Sequence, residues 1–115
     1  MYDLPDWVSS FPAAVTVSDL ELCIIYMNEA ATANYSANGG KELLGKKMLG
    51  CHNENSKAII QRLIKDGGTN VYTIEKAGKR KLIYQSDWKD KEGKIAGLVE
   101  VSMVLPGNLP HYVRS

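Results

Sequence analysis

Two parts of the chain have the β-rich runs or the alternation of hydrophobic and polar positions that predict strands. Near the N-terminus, residues 13–17 and 22–27 are two β-rich runs around a polar connection at 18–21, which predicts a hairpin. Hydrophobic and polar positions alternate after residue 68 in three further segments, which lie at 69–76, 80–88 and 95–105 and are separated by turn residues. The sequence therefore predicts five strands, two before and three after a central segment.

The central segment has helical spacing instead. Asn28 can cap a short helix over 29–33, and residues 41–44 offer one helical turn that Gly45 can end in a left-handed conformation. The strongest helix is predicted over 54–66, where the apolar positions share one face: Ala58, Ile59, Ile60, Leu63 and Ile64. Gly67 and Gly68 end it.

Composition limits the function classes that the chain can serve. Its 115 residues provide one domain with room for a core and a small cavity. A net charge of +1 gives no field that would hold a nucleic acid or an anionic membrane. The longest apolar run, residues 22–27, is far too short for a membrane span, and the acidic opening is not that of a secretory signal. We therefore expect a cytoplasmic protein with no nucleic-acid partner and no membrane span.

Turn and cap residues occur in an order that resembles the PAS domain family. Residues 18–28 resemble its opening hairpin, with Asp19 in the turn and Asn28 after the second strand, and 40–45 resemble its middle turn-helix element. Residues 89–93 followed by 97–102 resemble its closing hairpin. The resemblance implies an α+β fold: a five-stranded antiparallel sheet in the order 2-1-5-4-3, with short helices and the helix at 54–66 on one face. A pocket would lie between that helix and the sheet.

The resemblance also implies a function. PAS domains are usually input modules of signal transduction or transcription regulatory proteins. They sense a small ligand, haem, flavin, redox state or light, or they dimerise, and they act on an effector such as a kinase, cyclase or regulator outside this sequence. Few PAS domains are enzymes, and we do not expect this chain to be one. The alternative is a ligand-free protein–protein interaction module whose core is filled by its own side chains.

The resemblance suggests three parts to the chain: an N-terminal flanking helix at 1–12, a PAS-like domain at 13–105 and a C-terminal tail or linker at 106–115. Leu4, Trp7, Val8 and Phe11 have helical spacing. Because flanking helices of PAS domains often cover a dimer mate, Trp7 and Phe11 are the candidate contacts of a homodimer. Packing of both side chains within the monomer is the competing interpretation.

Cys51 and His52 form the most unusual local pair, because a thiol and an imidazole stand side by side just before the long helix. His52 is a haem-ligand candidate, although haem-binding PAS domains commonly place this histidine within the helix. Cys51 is a candidate redox thiol if His52 or the helix N-terminus lowers its pKa. The structural interpretation, in which Cys51 is buried filler and His52 bonds a loop carbonyl, is the one we favour. This pair is also the sole support for an autonomous enzyme.

Other cofactor chemistry has weaker support. Flavin photoreceptors of the LOV class form their adduct on a cysteine three residues after the glycine that matches Gly45, and this chain has Met48 there. Non-covalent flavin binding stays open. The soft ligands Cys23, Cys51, His52 and His111 lack the spacing of a structural zinc site, so no metal site is predicted. The basic clusters at 46–47 and 79–81 are interpreted as solvated charges.

The last strand carries a further hint about a ligand. Alternation places Leu98, Glu100, Ser102 and Val104 on one face, so Glu100 and Ser102 point either to solvent or into the pocket. A pocket with a carboxylate at its floor favours a cationic or hydrogen-bond-donating ligand, because an unpaired buried carboxylate is costly. The complete set of pocket candidates is Met48, Cys51, His52, Ile59, Leu63, Tyr72, Ile83, Gln85, Glu100 and Ser102.

Overall fold

A computed structural model describes residues 4–47 and 54–115 of the chain. Within these residues, three helices and five strands follow one another in the predicted order. They are α1 (Asp6–Ser9), β1 (Ala14–Asp19), β2 (Ile24–Met27), α2 (Glu29–Asn34), α3 (Glu54–Asp66), β3 (Thr69–Lys76), β4 (Lys79–Lys89) and β5 (Ile95–Leu105). Two 3₁₀ turns, Ser36–Asn38 and Gly40–Leu43, follow α2.

The five strands form one antiparallel sheet in the order β2-β1-β5-β4-β3, which confirms the predicted fold class and strand order. The last strand, β5, lies at the centre of the sheet because it pairs with β1 on one side and with β4 on the other. Its register joins Thr16 of β1 to Glu100, and Glu100 in turn to Gln85 of β4. This register decides which polar side chains meet at the site described below.

The core lies between the helices and one face of the sheet, which we call the inner face. Ile60 and Leu63 of α3 and Ala31 of α2 are fully buried there. They pack with Leu98 of β5 and Ala14 of β1. Within the predicted apolar face of α3, Ala58 is exposed, because only the side chains one turn apart at Ile60 and Leu63 point directly at the sheet.

Asn28 organises the start of α2, as the sequence predicts. Its side-chain oxygen accepts hydrogen bonds from the backbone N–H of Ala31 (3.0 Å) and of Val15 (2.9 Å). Its amide nitrogen donates to the carbonyls of Val8 (3.0 Å), Phe11 (3.3 Å) and Ala13 (2.8 Å). One side chain therefore joins the N-terminal segment, β1 and α2.

The N-terminal segment is less helical than the prediction of a helix over 1–12. Of the described residues in that range, 4–12, only Asp6–Ser9 is helical, for a single turn, and Val8 is its buried residue. The Val8 carbonyl accepts hydrogen bonds from both the Phe11 backbone N–H (3.3 Å) and the Asn28 amide, and Pro12 has no N–H with which to continue the helix. Residues 106–115 form no helix or strand and are exposed.

No helix within the described residues is long and apolar enough to cross a membrane.

Candidate functional site

A row of polar side chains crosses the inner face of the sheet. Thr16, Glu100, Gln85 and Asn70 occupy paired positions on four neighbouring strands, and we call them the polar row. The Gln85 amide donates to Glu100 Oε2 over 3.0 Å, and the Asn70 amide donates to Gln85 Oε1 over 3.0 Å. Gln85 is 2% exposed and Glu100 is 9% exposed. The amide of Gln85 is therefore held between two neighbours and presents its N–H to the carboxylate.

Glu100 uses one of its two carboxylate oxygens in this row. No described residue donates a hydrogen bond to its Oε1, and no described Lys or Arg forms an ion pair with it. A carboxylate can accept several hydrogen bonds, and leaving that capacity unused away from bulk water is unfavourable. Within the described residues, Glu100 therefore keeps one oxygen available to a ligand or to water, and no fully buried side-chain oxygen or nitrogen there lacks a partner.

That space is a cavity of about 180 Å³ on the inner face. Its floor continues from the polar row into the next row of the sheet, where Ala14, Ser102, Ile83 and Tyr72 are paired in sequence. Its lining in the described part of the chain consists of Ala14, Thr16, Asn34, Tyr35, Tyr72, Ile74, Lys76, Lys81, Ile83, Glu100 and Ser102. The central row of the cavity therefore has two apolar side chains and two that carry hydroxyl groups, with an acid at one end and two lysines at the other.

Tyr72 adds a hydrogen-bond donor to the same cavity. Burial raises the pKa of its hydroxyl above the ordinary tyrosine value, and the negative charge of Glu100 raises that pKa further. The Tyr72 hydroxyl is therefore neutral at physiological pH. Tyr72 and Glu100 line the same cavity, so both can contact one ligand.

Four of the predicted pocket residues line this cavity together, namely Tyr72, Ile83, Glu100 and Ser102. Gln85 lies beneath it and holds the Glu100 carboxylate. Ile59 and Leu63 do not line it: Leu63 is in the core and Ile59 packs against the core. Met48, Cys51 and His52 lie outside the described residues.

The cavity lies in a different part of the fold from the pocket that the sequence predicts. The sequence places it between the helix at 54–66 and the sheet, yet no described residue of α3 lines it. The end of α2 supplies the wall instead, through Asn34 and Tyr35, because α2 runs across β1 from its cap at Asn28. Lys81 is likewise part of the lining and not only a solvated charge.

The opposite face of the sheet, the outer face, is apolar in its middle row. Val15, Val101, Tyr84 and Val71 are paired there across four strands. Tyr84 and Val71 are exposed by 42% and 48%. The predicted dimer contacts Trp7 and Phe11 are also exposed, and their rings meet edge to face with centroids 6.3 Å apart.

A second group of side chains with ligand atoms occurs at the β1–β2 turn. Ligand atoms of Asp19, Glu21 and Cys23 lie within 4.8 Å of one another. Asp19 Oδ1, however, accepts the backbone N–H groups of Glu21 (3.0 Å) and Cys23 (2.9 Å), which is the bonding of a tight turn. Cys23 is half-buried and lies just before β2, outside the core strand in which the sequence placed it.

Comparison with known proteins identifies the fold. No family model and no curated protein matches this chain. Among solved structures, it is similar to VqmA bound to DPO, with 14% identity, a TM-score of 0.68, and coverage of 86% of this chain and 55% of that one. The Aer2 receptor from Vibrio cholerae, described as a dual PAS-haem oxygen sensor, matches with 16% identity, a TM-score of 0.64, and coverage of 82% and 95%. The PAS domain of the histidine kinase ThkA matches with 11% identity, a TM-score of 0.65, and coverage of 78% and 96%.

The class of fold follows from these matches: the chain has the PAS fold. It spans about half the length of the VqmA chains that it matches.

Haem and flavin occur in PAS domains, and the cavity is too small for either. At about 180 Å³ it has the size of a single ring, whereas haem has four pyrrole rings and flavin has three fused rings. Among the described residues the one histidine, His111, lies in the exposed C-terminal tail. The described residues therefore fit neither group.

Proposed function

We propose that this chain is a ligand-binding sensory domain whose cavity takes a small, one-ring organic compound with a cationic or hydrogen-bond-donating group. The observation that carries the proposal is the Glu100 oxygen to which no described residue donates, in a cavity that also presents apolar side chains. A donor group on the ligand satisfies that oxygen, and the ring packs on Ile83, Tyr72 and Ala14.

The size of the cavity supports the one-ring class. An apolar cavity of roughly 150 Å³ is large enough to bind benzene. The cavity here has about 180 Å³, which leaves room for one ring and a short polar substituent. A ligand of this kind also fits the placement of charged groups, since the carboxylate and the two lysines stand at the ends of the cavity and not along its centre.

The structural neighbours support a sensory function of this kind. VqmA is bound to DPO in its matching structure, and the Aer2 receptor is an oxygen sensor. For this chain we infer a binding function in the cytoplasm, without catalysis, that changes the state of an effector such as a kinase, cyclase or regulator. The redox hypothesis for Cys51 and His52 stays a prediction from the sequence.

Nuclear magnetic resonance with benzylamine as the probe tests this proposal. Titration into the ¹⁵N-labelled chain is expected to shift the amide signals of Thr16, Tyr72 and Ser102 most, because these residues line the cavity. Benzyl alcohol, which has the same ring and a neutral donor, is expected to shift the same signals. Shifts confined to the surface recess around Gly39 and Glu42 would overturn the proposal, as would the absence of any shift with both probes.

A second function, homodimerisation, is favoured by the outer face. Its apolar middle row and the Trp7–Phe11 ring pair are exposed together, and paired apolar surface of this kind is typical of an interface. We propose that the outer face and the N-terminal segment form the contact. In analytical ultracentrifugation, the variant W7A/F11A is expected to sediment as a monomer at concentrations where the wild type is a dimer.

The tail residue Tyr112 provides the matched control for this experiment. It is as exposed as Trp7, at 70%, but belongs to the C-terminal tail. Y112A should leave the dimer unchanged. A monomeric wild type, or equal weakening by Y112A and W7A/F11A, would contradict the proposed contact.

A further inference from the structure

The charges of the cavity are arranged along one direction. Glu100 stands at one end, and Lys76 and Lys81 stand at the other. Neither lysine forms an ion pair with a described residue. The cavity therefore presents two ammonium groups and one carboxylate. A ligand with only one kind of charge would pair with the lysines or with Glu100, but not with both.

The strand register gives the spacing between the two ends. Glu100 is paired with Gln85, and Lys81 lies four residues before Gln85 on the same face of β4. At about 3.3 Å per residue, four residues separate the rows of Glu100 and Lys81 by roughly 13 Å at the backbone, and Lys76, which is paired with Lys79, lies two residues further from Glu100. The central row with Ile83 and Tyr72 lies between the rows of Glu100 and Lys81. Because a lysine side chain is long and flexible, the ammonium groups of Lys76 and Lys81 can reach back toward a ring that lies between these rows.

We infer that the ligand is amphoteric: it has a cationic or donor group for Glu100 and an anionic group, such as a carboxylate, for Lys76 and Lys81. This inference rests on the proposed ligand-binding function and specifies the ligand class of the same cavity. The two lysines are at its open end and partly in water, so their attraction for an anion is moderate and is screened by salt.

Three compounds with a common ring test this class. They are 4-(aminomethyl)benzoate, which has both charges, benzylamine, which has only the cation, and 4-methylbenzoate, which has only the anion. Dissociation constants from titrations followed by nuclear magnetic resonance are expected to be about fivefold lower for 4-(aminomethyl)benzoate than for benzylamine, with 4-methylbenzoate the weakest. The advantage over benzylamine should shrink as salt is raised.

Variants separate the contribution of the lysines from general charge. K76Q/K81Q is expected to weaken binding of 4-(aminomethyl)benzoate about fivefold and to leave benzylamine unchanged or slightly tighter. K79Q is the matched control, because Lys79 lies on the same hairpin and lines a different surface recess. It should change neither dissociation constant by more than about twofold.

The results distinguish failure of this inference from failure of the proposed function. If both amines bind equally and K76Q/K81Q changes nothing, the amphoteric class is wrong while ligand binding at Glu100 stands. If E100Q leaves both amines unaffected, the donor site itself is wrong. If 4-methylbenzoate binds best, the lysines alone select the ligand, and both proposals are overturned.

Discussion

Asn28 and Glu100 are both buried polar residues beside β1, and they differ in how completely the protein satisfies them. Asn28 is 2% exposed, and both ends of its amide are hydrogen-bonded to the backbone of three segments. Glu100 is 9% exposed and uses one oxygen, on the Gln85 amide. Full satisfaction makes the Asn28 region a rigid joint, whereas partial satisfaction leaves the Glu100 region able to bind.

The two regions are connected by α2. The helix begins at its Asn28 cap, and its last residue, Asn34, together with Tyr35 forms the wall of the cavity. A joint that holds one end of α2 therefore fixes the wall at the other end. This division leads us to expect large losses of stability at the joint and small ones at the site.

Asn28→Ala should have the largest effect. It leaves buried backbone donors and acceptors in β1, α2 and the N-terminal segment without partners, at about 1 to 3 kcal/mol for such a group. We expect a loss of about 3 kcal/mol or more in the free energy of unfolding, measured with urea. A loss below about 1 kcal/mol would show that water replaces the side chain and that the joint is not rigid.

Gly97→Ala should rank second. A Cβ at Gly97 would stand on the carbonyl of Ser18 and against the indole nitrogen of Trp88, which donates to that same carbonyl over 2.9 Å. Since the backbone of β1 cannot give way easily, we expect a loss of about 2 to 3 kcal/mol in urea unfolding. Gly107→Ala, where a Cβ would meet nothing, is the control and should be near neutral. Equal effects at the two glycines would contradict this close approach.

Asp87 should make stability depend on pH in the acid range. The hydrogen bond from Lys89 and the backbone N–H of Gly68 hold the pKa of its carboxyl below the usual range. The ionised Asp87 therefore contributes to the free energy of unfolding above the unfolded-state pKa of about 4. This contribution is lost as pH falls through the lower, folded-state pKa. D87N should cost about 1 kcal/mol near neutral pH and flatten the acid loss. An unchanged acid profile in D87N would assign that loss to other carboxyls.

Glu100→Gln should change stability least. The glutamine can still accept the Gln85 amide through its own oxygen, and the site has no counter-ion among the described residues to lose. We expect a change of less than about 1 kcal/mol in either direction. A loss as large as that of Asn28→Ala would mean that Glu100 is a structural residue like Asn28, and the contrast between the two regions would disappear.

Most of the fold could be predicted from the sequence because its local signals agree with one another. The Asn28 cap, the apolar spacing of α3 and the alternation in β5 each specify an element, and the structure has all three. The N-terminal helix is shorter than its apolar spacing predicts. The helix ends before Pro12, and the Asn28 amide binds the carbonyls of Val8 and Phe11. Neither the proline nor this tertiary contact enters the apolar spacing from which the helix was predicted.

The site was only partly predictable. Strand alternation groups Glu100 with Ser102, and the structure places both at the cavity. The same rule applied to β3 and β4 would have added Ile74 and Lys81, which continue the faces of Tyr72 and Ile83. No sequence signal would have found Asn34 and Tyr35, because their position depends on how α2 crosses the sheet.

The dissociation constant of benzylamine in wild-type protein and in E100Q, measured under conditions where both are folded, tests the central claim most directly. Glu100 offers its free oxygen to a donor, so replacing the carboxylate with an amide should raise the dissociation constant about tenfold or more, while the urea midpoint stays nearly the same. An unchanged dissociation constant in a folded E100Q protein would contradict the assignment of Glu100 as the ligand anchor.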